Sequence, residues 1–127
     1  GTQKKLRLGK LGARRDWGFA GDYVQMMWRM LQEPTPDDFV IGTETSYTVQ
    51  DFLETAFACL NFYCRDFVET DAAEFRPTDV LDLRGDCTKA KERLSFQPAH
   101  TFQQLVKRMV DHDLALAKQE KRLQELA

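Results

Sequence analysis

Apolar and polar positions along the chain fall into a few regular stretches. From Ala20 to Leu31, the residues Ala20, Tyr23, Val24, Met27 and Leu31 share one side of a 3.6-residue period, with Asp22, Gln25, Arg29 and Gln32 on the other. The spacing predicts an amphipathic helix that buries the first set. The run Glu33-Pro34-Thr35-Pro36 ends it, because two prolines cannot continue a helix. A second helix is predicted after Thr48, where Val49, Phe52, Leu53, Ala56, Phe57 and Leu60 keep the same period and Thr48 with Asp51 forms a short capping box. Cys59 lies in this apolar pattern and is expected in the core. A small helix over 87–94, with Asp86 as its N-cap, has to end before Pro98. Thr101 and Gln104 form the capping box of a last helix, whose buried side is Phe102, Leu105, Val106, Met109 and Val110. Beyond Asp113 the pattern loosens and the end reads as a solvated helical extension.

The strands are short. Leu6-Arg7-Leu8 alternates as a half-exposed strand does, Phe39-Val40-Ile41 is an apolar run bounded by turn residues and reads as a buried strand, and 66–70 and the end of 76–83 supply two more. Strands alternate with helices, so the class is α/β, a small sheet of short strands with about four helices. There are no internal repeats.

A length of 127 residues fits one domain, and 43% hydrophobic residues suffice for a core. No stretch approaches the roughly 20 continuous apolar residues of a membrane span. Gly1-Thr2-Gln3 reads as an internal cut. Three cysteines without a CxxC pair read as reduced thiols, which with no secretory signal points to the cytoplasm. The net charge of −2 is unevenly placed, since residues 1–15 hold six cations and no acid. An acidic remainder, and an arm without interleaved aromatics, argue against a nucleic-acid partner.

Much familiar chemistry is missing. There is no glycine-rich dinucleotide or triphosphate loop, no Tyr-x-x-x-Lys pair, and no serine in a nucleophile elbow. His100 and His112 make no metal site, since Asp111-His112-Asp113 spreads its side chains about 100° apart on a helix. The residues alone give no catalytic, cofactor or metal set.

Three features suit an anionic ligand. Arg14-Arg15 precede Asp16-Trp17-Gly18 in a glycine-punctuated loop that opens a helix. There an arginine can fork onto phosphate oxygens and the helix start can add its dipole; a local Arg15–Asp16 ion pair is the competing reading. In Phe75-Arg76-Pro77-Thr78-Asp79-Val80 the proline makes the preceding residues extended, so Arg76 projects from a stiff loop with Asp79 three residues on, an arginine for phosphate and a carboxylate for ribose hydroxyls. Lys10 lies near the first feature. Trp17 and Phe75 are aromatic surfaces for a base or sugar, or core residues.

Taken in order, "LGKLGARRDWGFAGDYVQMMWRMLQ", "DDFVIGTETSYTVQDF", "FRPTDV", "GDCTKAKERLSFQP" and "FQQLVKRMV" resemble the C-terminal half of GDP-mannose 4,6-dehydratases, extended short-chain dehydrogenase/reductase enzymes, over about residues 5 to 114. The resemblance implies a two-part enzyme. An N-terminal Rossmann half carries NADP and the catalytic Thr/Ser, Glu, Tyr and Lys. The C-terminal half, here residues 1–114 with 115–127 as an extension, holds the GDP-sugar. The implied reaction oxidises C4 of GDP-mannose, eliminates water across C5–C6 and returns the hydride to C6, giving GDP-4-keto-6-deoxymannose. By similarity Arg15 faces the diphosphate, Arg76 the GDP moiety and Asp79 the ribose, with Lys10 beside them. Asp79 is one methylene shorter than the family's glutamate, Lys10 and Gly12 replace an Asn and an Asp, and Glu44 stands where the family has glycine. A related GDP-sugar reductase or epimerase, a non-catalytic assembly domain of the same fold, and a homo-oligomer stay open.

Overall fold

In a computed structural model, residues 4–75, 78 and 80–126 are described. The order is β1 (Leu6–Leu8), β2 (Arg14–Asp16), α1 (Ala20–Met30), β3 (Ser46–Thr48), α2 (Val49–Ala58), β4 (Val68–Thr70), β5 (Asp82–Leu83), α3 (Thr88–Leu94) and α4 (Phe102–Glu125), with single 3-10 turns at Cys64–Asp66 and Ala72–Glu74. The strands form two small sheets. β1 pairs in parallel with β4, Arg7 opposite Glu69; β2 is central in the order β3-β2-β5, antiparallel to β3 and parallel to β5. The class is α/β, with four helices among the described residues, as the periodicity predicts.

Two packing centres hold these pieces. Met26, Cys87, Ala90, Leu94 and Phe96 form a buried cluster between α1 and α3, with Tyr23, Met30, Phe39 and Ile41 packed on it. The second lies between β2, β3, α2 and α4. Tyr47 stacks on Phe102 at 3.9 Å, Trp17 meets Phe52 at 4.8 Å, and Leu53, Leu105 and Val106 are buried.

Both capping boxes form. The Asp51 amide donates to Thr48 Oγ1 at 2.9 Å and the Thr48 amide to Asp51 Oδ2 at 2.8 Å; Thr101 and Gln104 repeat the exchange at 3.2 and 2.9 Å. The two donors from Thr48 hold the Asp51 carboxyl below the usual carboxylate range. α3 starts one residue later than expected. Cys87 is its N-cap without a side-chain bond, and Asp86 accepts from the Thr88 amide at 3.0 Å and hydroxyl at 2.7 Å instead. The helix stops at Ser95, which is left-handed (φ 52°), well short of Pro98.

Several expectations are corrected. α1 buries Asp22 and Met26, while Val24, Met27 and Leu31 are exposed, because Met26 rather than Met27 faces α3. Phe39-Val40-Ile41 is not a strand: no neighbouring segment among the described residues offers it a ladder. Cys59 is exposed at the end of α2, and Cys87 is the buried thiol. Met109 is 46% exposed, since α2 is too short to cover α4 that far along. The helical extension expected beyond Asp113 does form, and α4 runs unbroken to Glu125.

Glu44 is left-handed (φ 60°), which explains a glycine at that position in the family it resembles. Here the side chain is put to use, as Glu44 Oε1 accepts from the Cys87 amide at 3.0 Å and Oε2 pairs with Lys91.

Two outcomes follow. Phe96 has no solvent exposure, so Phe96→Ala should lower the unfolding free energy by about 3–5 kcal/mol in urea titration. Asp51 has a depressed folded-state pKa, so its cap contributes fully above its unfolded value near 3.9 and is lost as pH falls through the lower folded value. The stability gap between the wild type and Asp51→Asn should therefore be constant above about pH 5 and shrink below about pH 4.

Candidate functional site

β2 sorts the Arg-Arg-Asp sequence by face. Successive strand residues point to opposite sides, so Arg14 and Asp16 share one side and Arg15 takes the other. That alternation excludes the neighbouring ion pair. Arg14 binds Ser46 across the strand pair, Nε to Oγ at 3.1 Å and Nη2 to the carbonyl at 2.5 Å. Asp16 collects donors from two loops. Its Oδ1 accepts from the Thr43 amide at 2.8 Å and hydroxyl at 2.5 Å, and its Oδ2 from the Glu44 amide at 3.0 Å and the Gly85 amide at 3.3 Å. A β-carbon at position 42 would lie 2.7 Å from Asp16 Oδ2, so only glycine lets this loop close on the carboxylate.

On the opposite side, Arg15 enters a cleft of about 390 Å³ lined by Arg7, Lys10, Arg15, Trp17, Val49 and Glu74 among others. Arg15 Nη1 donates to the Arg14 carbonyl at 2.6 Å and the Val80 carbonyl at 2.8 Å. Lys10 Nζ lies 5.8 Å from the centre of the Phe75 ring. The cleft therefore gathers three cations and touches both flanks of the 75–80 segment. Arg76 and Asp79 themselves lie outside the described residues. The approach of the β1–β2 loop depends on Gly9, where a β-carbon would lie 2.6 Å from the Glu74 carbonyl oxygen.

The start of α1 adds less than its sequence promised. Its first turn carries Asp22, a buried carboxylate that accepts from the Ala99 amide at 3.0 Å and the His100 amide at 3.3 Å, with His100 Nδ1 3.1 Å away. The positive end of the helix is thus matched from within the chain. At α2, the Val49 and Gln50 amides donate to the Ala13 and Leu11 carbonyls at 3.1 and 3.0 Å. Trp17 is a structural residue, its indole N–H on the Tyr47 carbonyl at 3.4 Å and its ring against Phe52. Phe75 is 43% exposed beside Lys10.

The Asp16 and Asp22 hubs were not legible in the sequence, because their partners lie 27 to 78 residues away. Tyr23 and Cys87 both keep their protons at neutral pH. Burial, then the Asp16 carboxylate, pushes the Tyr23 phenol up to about 12, and burial pushes the Cys87 thiol up. Among the described residues no cluster of three or more His, Cys, Asp or Glu side chains suits a metal ion, and no helix is long and apolar enough to cross a membrane. A larger cleft of about 710 Å³ beside α2 has one cation, Arg65, over the Tyr63 ring at 5.2 Å. For an anion the smaller cleft is better equipped.

Residues 1–109 match the family described as GDP-mannose 4,6 dehydratase. Over 121 residues the chain is 54% identical to GDP-mannose 4,6 dehydratase 1 of Arabidopsis thaliana, covering 95% of this chain and 34% of that protein. Among solved structures, RMD from Pseudomonas aeruginosa complexed with NADPH superposes with a TM-score of 0.74 at 14% identity, over 85% of this chain and 35% of that one. UDP-glucose 4-epimerase from Thermotoga maritima with UDP-glucose gives 0.76 at 21% identity, over 89% and 36%. These two share the fold. The chain spans about a third of the length of the curated relatives it matches.

Replacing Asp16 by Ala leaves two loops without their common acceptor. It should cost on the order of 3 kcal/mol in chemical denaturation, while Asp16→Asn, which keeps one carbonyl oxygen, should cost less.

Proposed function

The chain belongs to the GDP-mannose 4,6-dehydratase family, and we propose that it forms the GDP-sugar-binding portion of such an enzyme. The observation that carries this reading is the cleft that brings Arg15 and Lys10 together against Phe75 and Val80, the flanks of the segment holding Arg76 and Asp79. In this reading Arg15 and Lys10 neutralise the diphosphate, Phe75 lies against the nucleoside, and Arg76 with Asp79 holds the GDP and its ribose. Arginine suits the diphosphate because its planar fork matches phosphate oxygens. Residues 1–114 act as the binding unit, and 115–127 extend α4 as a helical tail.

The sequence has no glycine-rich loop of the kind that cradles a dinucleotide. We assign NADP, and the hydride and proton transfers that need it, to an N-terminal Rossmann half working in the cytoplasm. This chain orients the GDP-mannose and contributes no acid or base of its own.

Calorimetric titration of the 127-residue chain tests the reading. GDP-mannose should bind more tightly than UDP-glucose, and Arg15→Ala or Arg76→Ala should each weaken it by about 1.5–3 kcal/mol, roughly 10- to 150-fold. Equal affinity for both nucleotide sugars, or wild-type affinity in both variants, rejects it.

A further inference from the structure

The cationic cleft has an acid in its wall. Arg7, Lys10 and Arg15 line it from β1, the β1–β2 loop and β2, and Glu74 lines it from the 3-10 turn before Phe75. A carboxylate beside a diphosphate weakens the binding of that anion unless it meets a donor of its own. The protein supplies none: among the described residues the Glu74 carboxylate makes no hydrogen bond and no ion pair, and the Arg7 guanidinium across the cleft makes none either.

The backbone that carries Glu74 is nevertheless fixed. The Asp71 amide donates to the Leu8 carbonyl of β1 at 2.9 Å, and Asp71 Oδ1 accepts from the Ala73 amide at 2.9 Å. The Glu74 and Phe75 amides close the turn on the Asp71 and Ala72 carbonyls, both at 3.1 Å. On the other side Gly9 lies so near that a β-carbon there would stand 2.6 Å from the Glu74 carbonyl oxygen. Glu74 is an anchored residue with an unpaired head, which is how a recognition group is mounted when its partner arrives from outside.

The chemistry of a carboxylate narrows that partner. Its two oxygens lie in one plane and match two parallel N–H groups. Among the common nucleobases only guanine presents such a pair, N1–H beside the 2-amino group. Uracil sets one N–H between two carbonyls, and adenine and cytosine set an amino group beside a ring nitrogen without hydrogen. We propose that Glu74 reads the base: its carboxylate accepts from N1–H and the 2-amino group of a guanine lying against Phe75, while the cations of the cleft hold the phosphates. The proposal rests on the reading of this cleft as the GDP-sugar site, and it names the side chain that makes the site selective for guanine. A site built around a hydrogen bond rejects the analogue that lacks it, because the buried partner is then left unpaired.

The test compares GDP with IDP, which lacks only the 2-amino group, by calorimetric titration of the 127-residue chain. The wild type should bind GDP about 10- to 150-fold more tightly, the factor carried by one hydrogen bond to a charged acceptor. Glu74→Gln keeps the size of the side chain but turns one acceptor into a donor that opposes the 2-amino group. It should weaken GDP at least ~10-fold and erase the preference over IDP. Arg15→Ala should weaken both nucleotides by the same factor and keep the preference. Equal affinity for GDP and IDP in the wild type, or a preference that survives Glu74→Gln, overturns the proposal. So does a Glu74→Gln loss that is equal for GDP and IDP but absent with 2′-deoxy-GDP, which would make the ribose the donor. In each of these cases Arg15-dependent binding of GDP leaves the GDP-sugar reading standing, whereas no binding of either nucleotide brings down both.

Discussion

The carboxylate of Asp16 is the constraint on which the rest of the molecule hangs. It sits at the end of the central strand and accepts hydrogen bonds from both sides of the fold, from the loop after residues 39–41 and from the turn into α3. Those loops carry the two walls of the α1–α3 core, so one side chain sets their separation. Gly42 is the geometric counterpart of this arrangement, since any β-carbon there would displace the carboxylate. The strand pleat then carries the same constraint to the opposite face. With Asp16 committed to the inner side, Arg15 has to emerge on the other, into the cationic cleft.

What was legible in the sequence is what local physics decides. Thr48 with Asp51 and Thr101 with Gln104 announce their helices because both partners of each capping box lie within four residues. Leu6–Leu8 reads as a strand from alternation alone. The face of α1 did not read correctly. Apolar residues on two sides give a period that fits either, and only α3 and Phe96 decide that Met26 goes inward. Cys59 misled in a similar way: it follows the apolar spacing of α2 but is the cap residue just past Ala58, and it is exposed. Phe39-Val40-Ile41 has the composition and alternation of a strand, but a strand is a property of two segments, and composition reports on one.

The cationic cleft shows the same division. Arg15 and Lys10 were recognisable from charge, glycine spacing and resemblance, and the fold brings them to one cavity. The hydrogen bond from Arg15 to Val80 and the contact of Lys10 with Phe75 join segments 65 residues apart, which no local pattern records. Asp22 was assigned to a solvated helix face, whereas it is buried and fixes the 99–100 turn.

Thr48 belongs to two elements at once, the last residue of β3 and the N-cap of α2. No loop separates the strand from the helix, so the junction has no slack. Register between β2 and β3 and the rotation of α2 about its axis are therefore one variable. A slip of a single residue along the strand pair would turn Leu53 and Phe52 away from α4 and carry Trp17 off its stacking partner. The cationic cleft and the helical core consequently stay in register or are lost together, and an insertion between residues 48 and 49 would be felt in both.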